Sequence, residues 1–149
     1  VGIVTGMVAV LATVTPASGF IGVPGGLILG LSGGIICYFS VDLIRSKLKI
    51  DDSLDVFAVH GVGGILGTLM VSFLALETFS GAGLAEEMSV NSQFLAQLFG
   101  VVLTVVWTLI FTYIALKITS LFTSLRVEEQ EEIEGLDLRS HGERAYYND

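Results

Sequence analysis

A single histidine lies in a long apolar segment of the chain, and imidazole is the side chain best suited to relay a proton near neutral pH. The segment reads DDSLDVFAVHGVGG over residues 51–64, and no ionisable group follows His60 until after Leu76. An ionisable side chain within a membrane span is costly, so it needs a partner or a purpose. Three interpretations are open: a packed core histidine, a metal or haem ligand, and a residue that lines a path for a polar substrate.

Three carboxylates precede this histidine, at Asp51, Asp52 and Asp55. Acidic residues in the first turn of a helix are stabilised by its dipole, so the residues alone favour N-terminal capping. No second histidine, cysteine or carboxylate stands at ligand spacing in the segment that follows. The other histidine of the chain, His141, lies far beyond it. The sequence therefore predicts neither a metal site nor a cofactor.

Helical spacing indicates which residues share a face with His60. Val56 lies four residues earlier, and Gly63, Gly64 and Gly67 are expected to continue the same side of the helix. A face made of one valine, one imidazole and several glycines is narrow, apolar and nearly uncharged. Such a surface suits a small neutral molecule better than an ion.

The composition is that of a membrane protein with a soluble tail. Of the 149 residues, 52% are hydrophobic, and the mean hydropathy is +0.79. Charge is segregated, because residues 126–149 hold eight of the fifteen acids and a net charge of −5. Cys37 is the only cysteine, which excludes a disulfide within the chain. The few basic residues do not suggest a nucleic-acid partner.

Four apolar runs organise the chain. The first, over residues 1–14, is too short to cross a bilayer, so we expect the C-terminal part of a longer protein that begins within a transmembrane helix. The other three are long enough to cross a bilayer: residues 21–44, 56–76 and 94–125. The predicted fold class is an all-α membrane protein, with a transmembrane bundle over residues 1–125 and an acidic tail over residues 126–149.

The connections between the runs predict the orientation. The loop RSKLKIDDSLD, residues 45–55, holds three basic residues, whereas the loop ETFSGAGLAEEMSVNSQ, residues 77–93, holds three glutamates and no base. Lys117 and Arg126 flank the far end of the last run. The basic loop and the tail are therefore expected to face the cytoplasm, in a multi-pass protein of the cell membrane.

Glycines recur at helical spacing within two of the runs. In lipid, such small residues let helix backbones approach one another closely. The run over residues 21–44 carries a glycine every four residues, and the next run repeats that spacing. The expected helix-packing positions are Gly22, Gly26, Gly30, Gly34, Gly63 and Gly67.

Three segments together resemble a known family. DDSLDVFAVHGVGGILG is similar to a characteristic segment of the ammonium transporter family, the Amt branch of the Amt/Mep/Rh superfamily. TPASGFIG resembles the end of that family's eighth helix, and GLDLRSHGERAY resembles its cytoplasmic signature. The resemblance covers the chain from end to end, and the three motifs follow in the family's order.

The resemblance implies an eleven-helix fold, of which this chain supplies part of helix eight, helices nine to eleven and the tail. Family members are homotrimers, and each protomer encloses a narrow hydrophobic pore in which two histidines face each other. His60 stands at the position of one of them, and the other belongs to a helix outside this chain. Val56 matches an apolar pore-lining residue and Thr15 a hydroxyl near the histidine pair. Asp55 and Asp52 match the cytoplasmic vestibule.

The same resemblance implies a regulatory role for the tail. In the family this segment packs beneath the pore and against the neighbouring protomer. It also borders the surface where a P-II-type nitrogen-regulatory protein can close the cytoplasmic exit. The matching tail residues are Gly135, Asp137, His141, Gly142, Glu143 and Tyr146.

The function that the resemblance implies is transport of ammonium and ammonia through the lipid bilayer, with ammonium losing its proton before ammonia enters the pore. Ammonium shares its charge and nearly its size with potassium, which has no proton to give, so deprotonation separates the two ions. Two alternatives are an ammonium sensor, which normally carries an appended signalling domain, and a Rh-type channel for neutral gases. No nucleophile, metal cluster or acid–base pair converges in the sequence, so an enzyme is not expected.

Overall fold

The computed structural model of the chain describes residues 2–143, which form helices joined by short turns and, within that range, no β-strand. The α-helices are α1 (Gly2–Val14), α2 (Val23–Asp42), α3 (Val62–Leu74), α4 (Val90–Ser120) and α5 (Glu129–Glu134). Short 3₁₀ turns cover Thr15–Ala17 and Glu77–Phe79, and π-helical turns cover Leu43–Lys47, Phe57–Gly61 and Asp137–His141. The predicted all-α class is confirmed.

Three continuous helical segments are long and apolar enough to cross a membrane: Val23–Lys47, Phe57–Leu74 and Val90–Ser120. The segment Gly2–Ala17 is apolar but shorter. At a rise of about 1.5 Å per residue, α4 measures about 46 Å and exceeds the ~30 Å hydrocarbon core of a bilayer. This helix must therefore tilt or project from the membrane.

The boundaries of α4 differ from the apolar run over residues 94–125. The helix begins earlier because Ser89 Oγ accepts a hydrogen bond from the Ser92 N–H (3.1 Å), which satisfies one of the free donors of the first turn. It ends earlier because the Thr119 carbonyl accepts N–H groups from two residues that follow, and these bonds close the last turn. Polar residues that hydropathy leaves out thus belong to the helix.

The described part of the chain divides into two compact units, with the boundary between residues 104 and 105. In the first unit α1, α2 and α3 pack together. At one end of this bundle the Phe20 carbonyl accepts the Ala82 N–H (2.9 Å), so the loop after α3 folds onto the turn between α1 and α2. At the opposite end the Arg45 guanidinium lies 3.5 Å from the Asp55 carboxylate and joins α2 to the segment that leads into α3.

Helices α1, α2 and α3 meet at Thr13 of α1, whose side chain is fully buried. Its hydroxyl donates to the Ala9 carbonyl at 2.8 Å. Glycines of the other two helices face it: a Cβ atom on Gly33 would lie 2.7 Å from Thr13 Cβ, and one on Gly63 would lie 2.8 Å from Thr13 Oγ1. The absence of side chains at these two positions is what lets three helix backbones converge on one threonine.

The second unit contains the end of α4 and the tail. The Arg126 guanidinium donates two hydrogen bonds to the Glu132 carboxylate, at 2.8 and 3.0 Å. Arg139 lies 3.6 Å from Glu131 and 3.8 Å from Glu134. The tail thus neutralises part of its own negative charge, although ion pairs as exposed as these contribute little to stability.

Candidate functional site

His60 lies in the π-helical turn Phe57–Gly61, which leads directly into α3. A π turn holds one residue more than an α turn, and such turns are frequent at functional sites. A Cβ on Gly61 would lie 2.9 Å from the Phe57 ring, so the glycine lets this ring fold against the turn. The His60 side chain is exposed and has no hydrogen-bond partner within residues 2–143.

His60 borders a cavity of about 240 Å³ that it forms with α1 and the 3₁₀ turn after it. The other lining residues are Val8, Leu11, Ala12, Thr15 and Pro16. The Thr15 hydroxyl donates its hydrogen to the Leu11 carbonyl (2.6 Å), so the lone pairs of its oxygen remain available to accept one. An imidazole and a hydroxyl oxygen therefore share a wall that is otherwise apolar.

His60 and the three glycines expected beside it do not all lie on one face of the helix. Gly63 and Gly67 are buried against α1, whereas a Cβ on Gly64 would meet open space. Gly64 thus continues the exposed side of His60, while the other two glycines belong to the packing side. Val56, the remaining member of the expected face, is half exposed at the start of the segment.

Asp52 caps the helix that carries His60. Its carboxylate accepts three backbone hydrogen bonds: Oδ1 from the Val56 N–H (2.8 Å), and Oδ2 from the Phe57 (2.9 Å) and Ala58 (3.3 Å) N–H groups. These are donors of the first turn, which have no partner within the helix. The negative charge also lies at the positive end of the helix dipole. The Asp52 carboxylate, which the family resemblance placed at the cytoplasmic vestibule, therefore binds backbone N–H groups of its own chain.

Replacing Asp52 with alanine is expected to destabilise the protein by about 1 kcal/mol, the usual cost of a lost N-terminal cap. Asp52→Asn should cost less, because the amide oxygen still accepts a hydrogen bond although the charge is lost. Thermal unfolding of the full-length protein in detergent measures both, with Ser53→Ala in the same loop as control. Equal stability of Asp52→Ala and Ser53→Ala would show that the cap contributes nothing.

Asp55 is mostly buried and adopts a left-handed backbone conformation, with φ of +56°. This conformation costs a non-glycine residue about 1–2 kcal/mol, and asparagine or aspartate tolerates it best. The Asp55 carbonyl accepts the Val59 N–H at 2.8 Å, so the residue begins the helical hydrogen bonding. Its Oδ1 atom is buried without a hydrogen bond to any described residue, and the partner of the carboxylate is the Arg45 guanidinium.

The predicted glycine row of α2 has several different neighbours. Added Cβ atoms on Gly30 and Gly34 would lie 3.0 and 3.8 Å from Val10 of α1. Gly22 faces the backbone of the loop after α3, and Gly26 meets open space among the described residues.

A second row of α2, one residue to the side, is buried in the bundle. It consists of Gly25, Leu29, Gly33 and Cys37. Glycine spacing does not reveal this row, because only two of its four members are glycines. The four-residue alternation of a small with a larger side chain is the signal that could have identified it. Glycine allows close approach in this row, and Leu29 and Cys37 fill the space between.

The tail residues singled out by sequence gather at one turn. The π turn Asp137–His141 is bracketed by Gly135 (φ +92°) and Gly142 (φ +66°), which adopt this region without a side-chain clash. The Glu143 N–H donates to the Asp137 carbonyl at 3.1 Å and closes the turn. Tyr146 lies outside the described residues.

No three His, Cys, Asp or Glu side chains within residues 2–143 lie close enough together to hold a metal ion. The chemistry available at the cavity is therefore that of one imidazole and one hydroxyl oxygen on an apolar wall. Such a site can accept hydrogen bonds from a small donor and can relay a proton through the imidazole.

Comparison with known proteins adds an independent line of information. The family model described as Ammonium Transporter Family matches residues 1–146. Similar curated proteins include ammonium transporter Amt1 of Archaeoglobus fulgidus (45% identical), a putative ammonium transporter of Methanothermobacter thermautotrophicus (40%) and an ammonium transporter of Bacillus subtilis (38%). Each alignment covers 97% of this chain. The chain spans only 36–37% of the length of these relatives.

Proposed function

Because the chain belongs to the ammonium transporter family, we propose that its helices form part of a path that carries ammonium and ammonia across the cell membrane. The observation that supports this proposal is the pairing of His60 with the Thr15 hydroxyl on an apolar cavity wall. The relatives of this multi-pass membrane protein are named transporters, which favours transport over an enzymatic role.

In the proposed mechanism ammonium gives up its proton before the dry part of the path, and ammonia passes the apolar wall. Moving a cation through the bilayer centre costs from about 3 to more than 10 kcal/mol, and the loss of the proton avoids that cost. His60 and a second histidine, on a helix outside this chain, accept hydrogen bonds from ammonia and relay the proton. Thr15 offers a further acceptor near them, and Val56 keeps the wall apolar.

The proposed orientation places the end of the bundle that carries Arg45, Lys47 and Lys49 at the cytoplasm, since basic loops are retained there. We assign the tail to the cytoplasm as well, because Lys117 and Arg126 flank the far end of the last apolar run. We assign the turn Asp137–His141 and its flanking glycines to a regulatory surface between protomers of a homotrimer. This surface would also adjoin the site for a P-II-type partner. The left-handed glycines that bracket this turn support a defined backbone conformation there.

The test is transport by the full-length protein in liposomes. Under an ammonium gradient we expect a current or a change of internal pH well above that of protein-free liposomes, and no such response to potassium. Responses to ammonium and potassium of equal size would contradict the proposal, as would a rate equal to that of empty liposomes. If the protein increased the permeation rates of ammonia and carbon dioxide equally, it would be a channel for neutral gases instead.

A further inference from the structure

We propose that Arg45 is a positioning residue for the turn that carries His60, acting through its ion pair with Asp55. This inference rests on the proposed function, because the purpose of the positioning is ammonium transport. Arg45 lies in the π turn Leu43–Lys47 at the end of α2, ten residues before Asp55. Its guanidinium lies 3.5 Å from the Asp55 carboxylate. The pair therefore ties the end of one spanning helix to the beginning of the next.

The backbone at Asp55 requires such a restraint. The residue is held in the left-handed region at φ +56°, which a non-glycine residue keeps only when its surroundings fix it. Only 15% of its side chain is exposed, whereas the Arg45 side chain is 51% exposed. The buried carboxylate therefore depends on the guanidinium for its charge partner, since Oδ1 has no hydrogen bond within the described residues.

The position of His60 depends on where its turn begins. A π turn inserts one residue into the helix, so its starting point sets the direction of the side chains within it. Helix α2 contacts this turn at a second place, where the Cys37 thiol lies 3.7 Å from the Val59 carbonyl as a weak donor. The Asp55 pair fixes the start of the turn, and the Cys37 contact fixes the residue just before His60.

A direct role for Arg45 at the substrate is excluded by its charge, because a guanidinium repels ammonium. A direct role for Asp55 as a cation ligand is the competing explanation, and it makes a different prediction. If Asp55 held ammonium, Arg45→Gln would free the carboxylate and lower the half-saturating ammonium concentration, while Asp55→Asn would raise it. Positioning requires instead that both substitutions lower the maximal rate and leave the half-saturating concentration unchanged.

The experiment uses the full-length protein in liposomes with Arg45→Gln, Asp55→Asn and the double variant. Each is expected to lower the maximal ammonium rate by about tenfold, since small misplacements of a reacting group have effects of this order or larger. The double variant should lose no more than either single one. Arg45→Lys should restore most of the rate. The control is Lys47→Gln, two residues away with the same change of charge and no ion pair within residues 2–143.

A second measurement does not depend on transport. Hydrogen exchange of the same proteins should quicken at residues 56–61 in Arg45→Gln and stay unchanged there in Lys47→Gln, with residues 62–74 protected in both. Arg45→Gln behaving like Lys47→Gln in rate and in exchange would overturn the inference. Opposite shifts of the half-saturating concentration would assign Asp55 to direct cation binding and overturn it as well. If wild type fails to carry ammonium, the proposed function fails, and exchange alone still decides the positioning.

Discussion

Replacing His60 with alanine is expected to lower ammonium transport by at least about tenfold. Positioned proton-transfer groups commonly contribute about 10²–10⁴-fold to the reactions they assist. With alanine in place, Thr15 is the one lining residue of the described cavity that has a polar side chain, and its hydroxyl oxygen cannot take up a proton near neutral pH. Ammonium then faces the full cost of entering an apolar path as a cation. The measurement is the ammonium-driven response of full-length protein in liposomes, with potassium as the comparison ion.

A second variant separates polarity from proton relay. His60→Asn keeps a hydrogen-bonding side chain of similar size, but this side chain cannot be protonated. The variant should therefore retain the apolar path and still lose ammonium transport. Recovery of the wild-type rate in His60→Asn would show that the site needs only a hydrogen-bond partner. Wild-type rate and potassium discrimination in His60→Ala would identify His60 as a packing residue and contradict the mechanism.

The sequence singled out His60 and Thr15, but not the geometry of the cavity that both of them line. The isolated histidine indicated a special site, and the family resemblance indicated Thr15 as its neighbour. The residues VFAVHG do not by themselves distinguish a π turn from an α turn. The turn contacts α1 and α2, and the local sequence does not encode those contacts. Helical spacing from Val56 placed Gly63 and Gly67 on the side of His60. They lie on the side that packs against α1, where the recurrence of glycines had also placed them.

The capping and charge pairing also depended on tertiary contacts. From the sequence, each of three neighbouring carboxylates could cap the helix that carries His60. In the structure each of them has a different partner. Asp52 binds the free backbone donors, Asp55 meets Arg45, and Asp51 accepts a hydrogen bond from Ser53. Only the path of the loop decides among them, and loop conformation is the part of a fold that periodicity describes least.

The glycines of α2 show the limit of spacing arguments most clearly. The helix is apolar on every side, so hydropathy cannot indicate which row of residues is covered. A row of four glycines was the more conspicuous pattern, and Gly30 and Gly34 of that row face α1. The row that contains Leu29 and Cys37 is buried along its whole length. Close packing between helices needs a large side chain beside each small one, and a row of glycines alone supplies no volume to fill the interface.

Replacing Gly67 with alanine is expected to destabilise the protein by about 3 kcal/mol, at the upper end of the usual cost of overpacking. The added Cβ would overlap the Thr13 carbonyl oxygen and lie 3.3 Å from Pro16 Cδ. A backbone carbonyl cannot rotate away as a side chain can, so α1 must move as a body. Gly64 lies three residues away in the same helix, and a Cβ added there would meet open space. The Gly64→Ala protein should be more stable than wild type by up to about 1 kcal/mol, because alanine is the better helix former.

Gly63→Ala should have an intermediate effect. Its added Cβ would lie 2.8 Å from the Thr13 hydroxyl and 3.3 Å from the Cys37 sulfur, whereas the Thr13 main-chain nitrogen is at an ordinary contact distance of 3.6 Å. A hydroxyl can adjust, so the loss of stability should fall between those of the other two variants. Thermal unfolding of the full-length protein in detergent gives the order, and equal midpoints for all three would show that α1 and α3 do not make this contact. The order also has a functional consequence. Helix α1 leads into Thr15, so a displacement that relieves Gly67→Ala moves the hydroxyl away from His60. Ammonium transport should therefore fall in the same order as stability, even where folded protein is recovered.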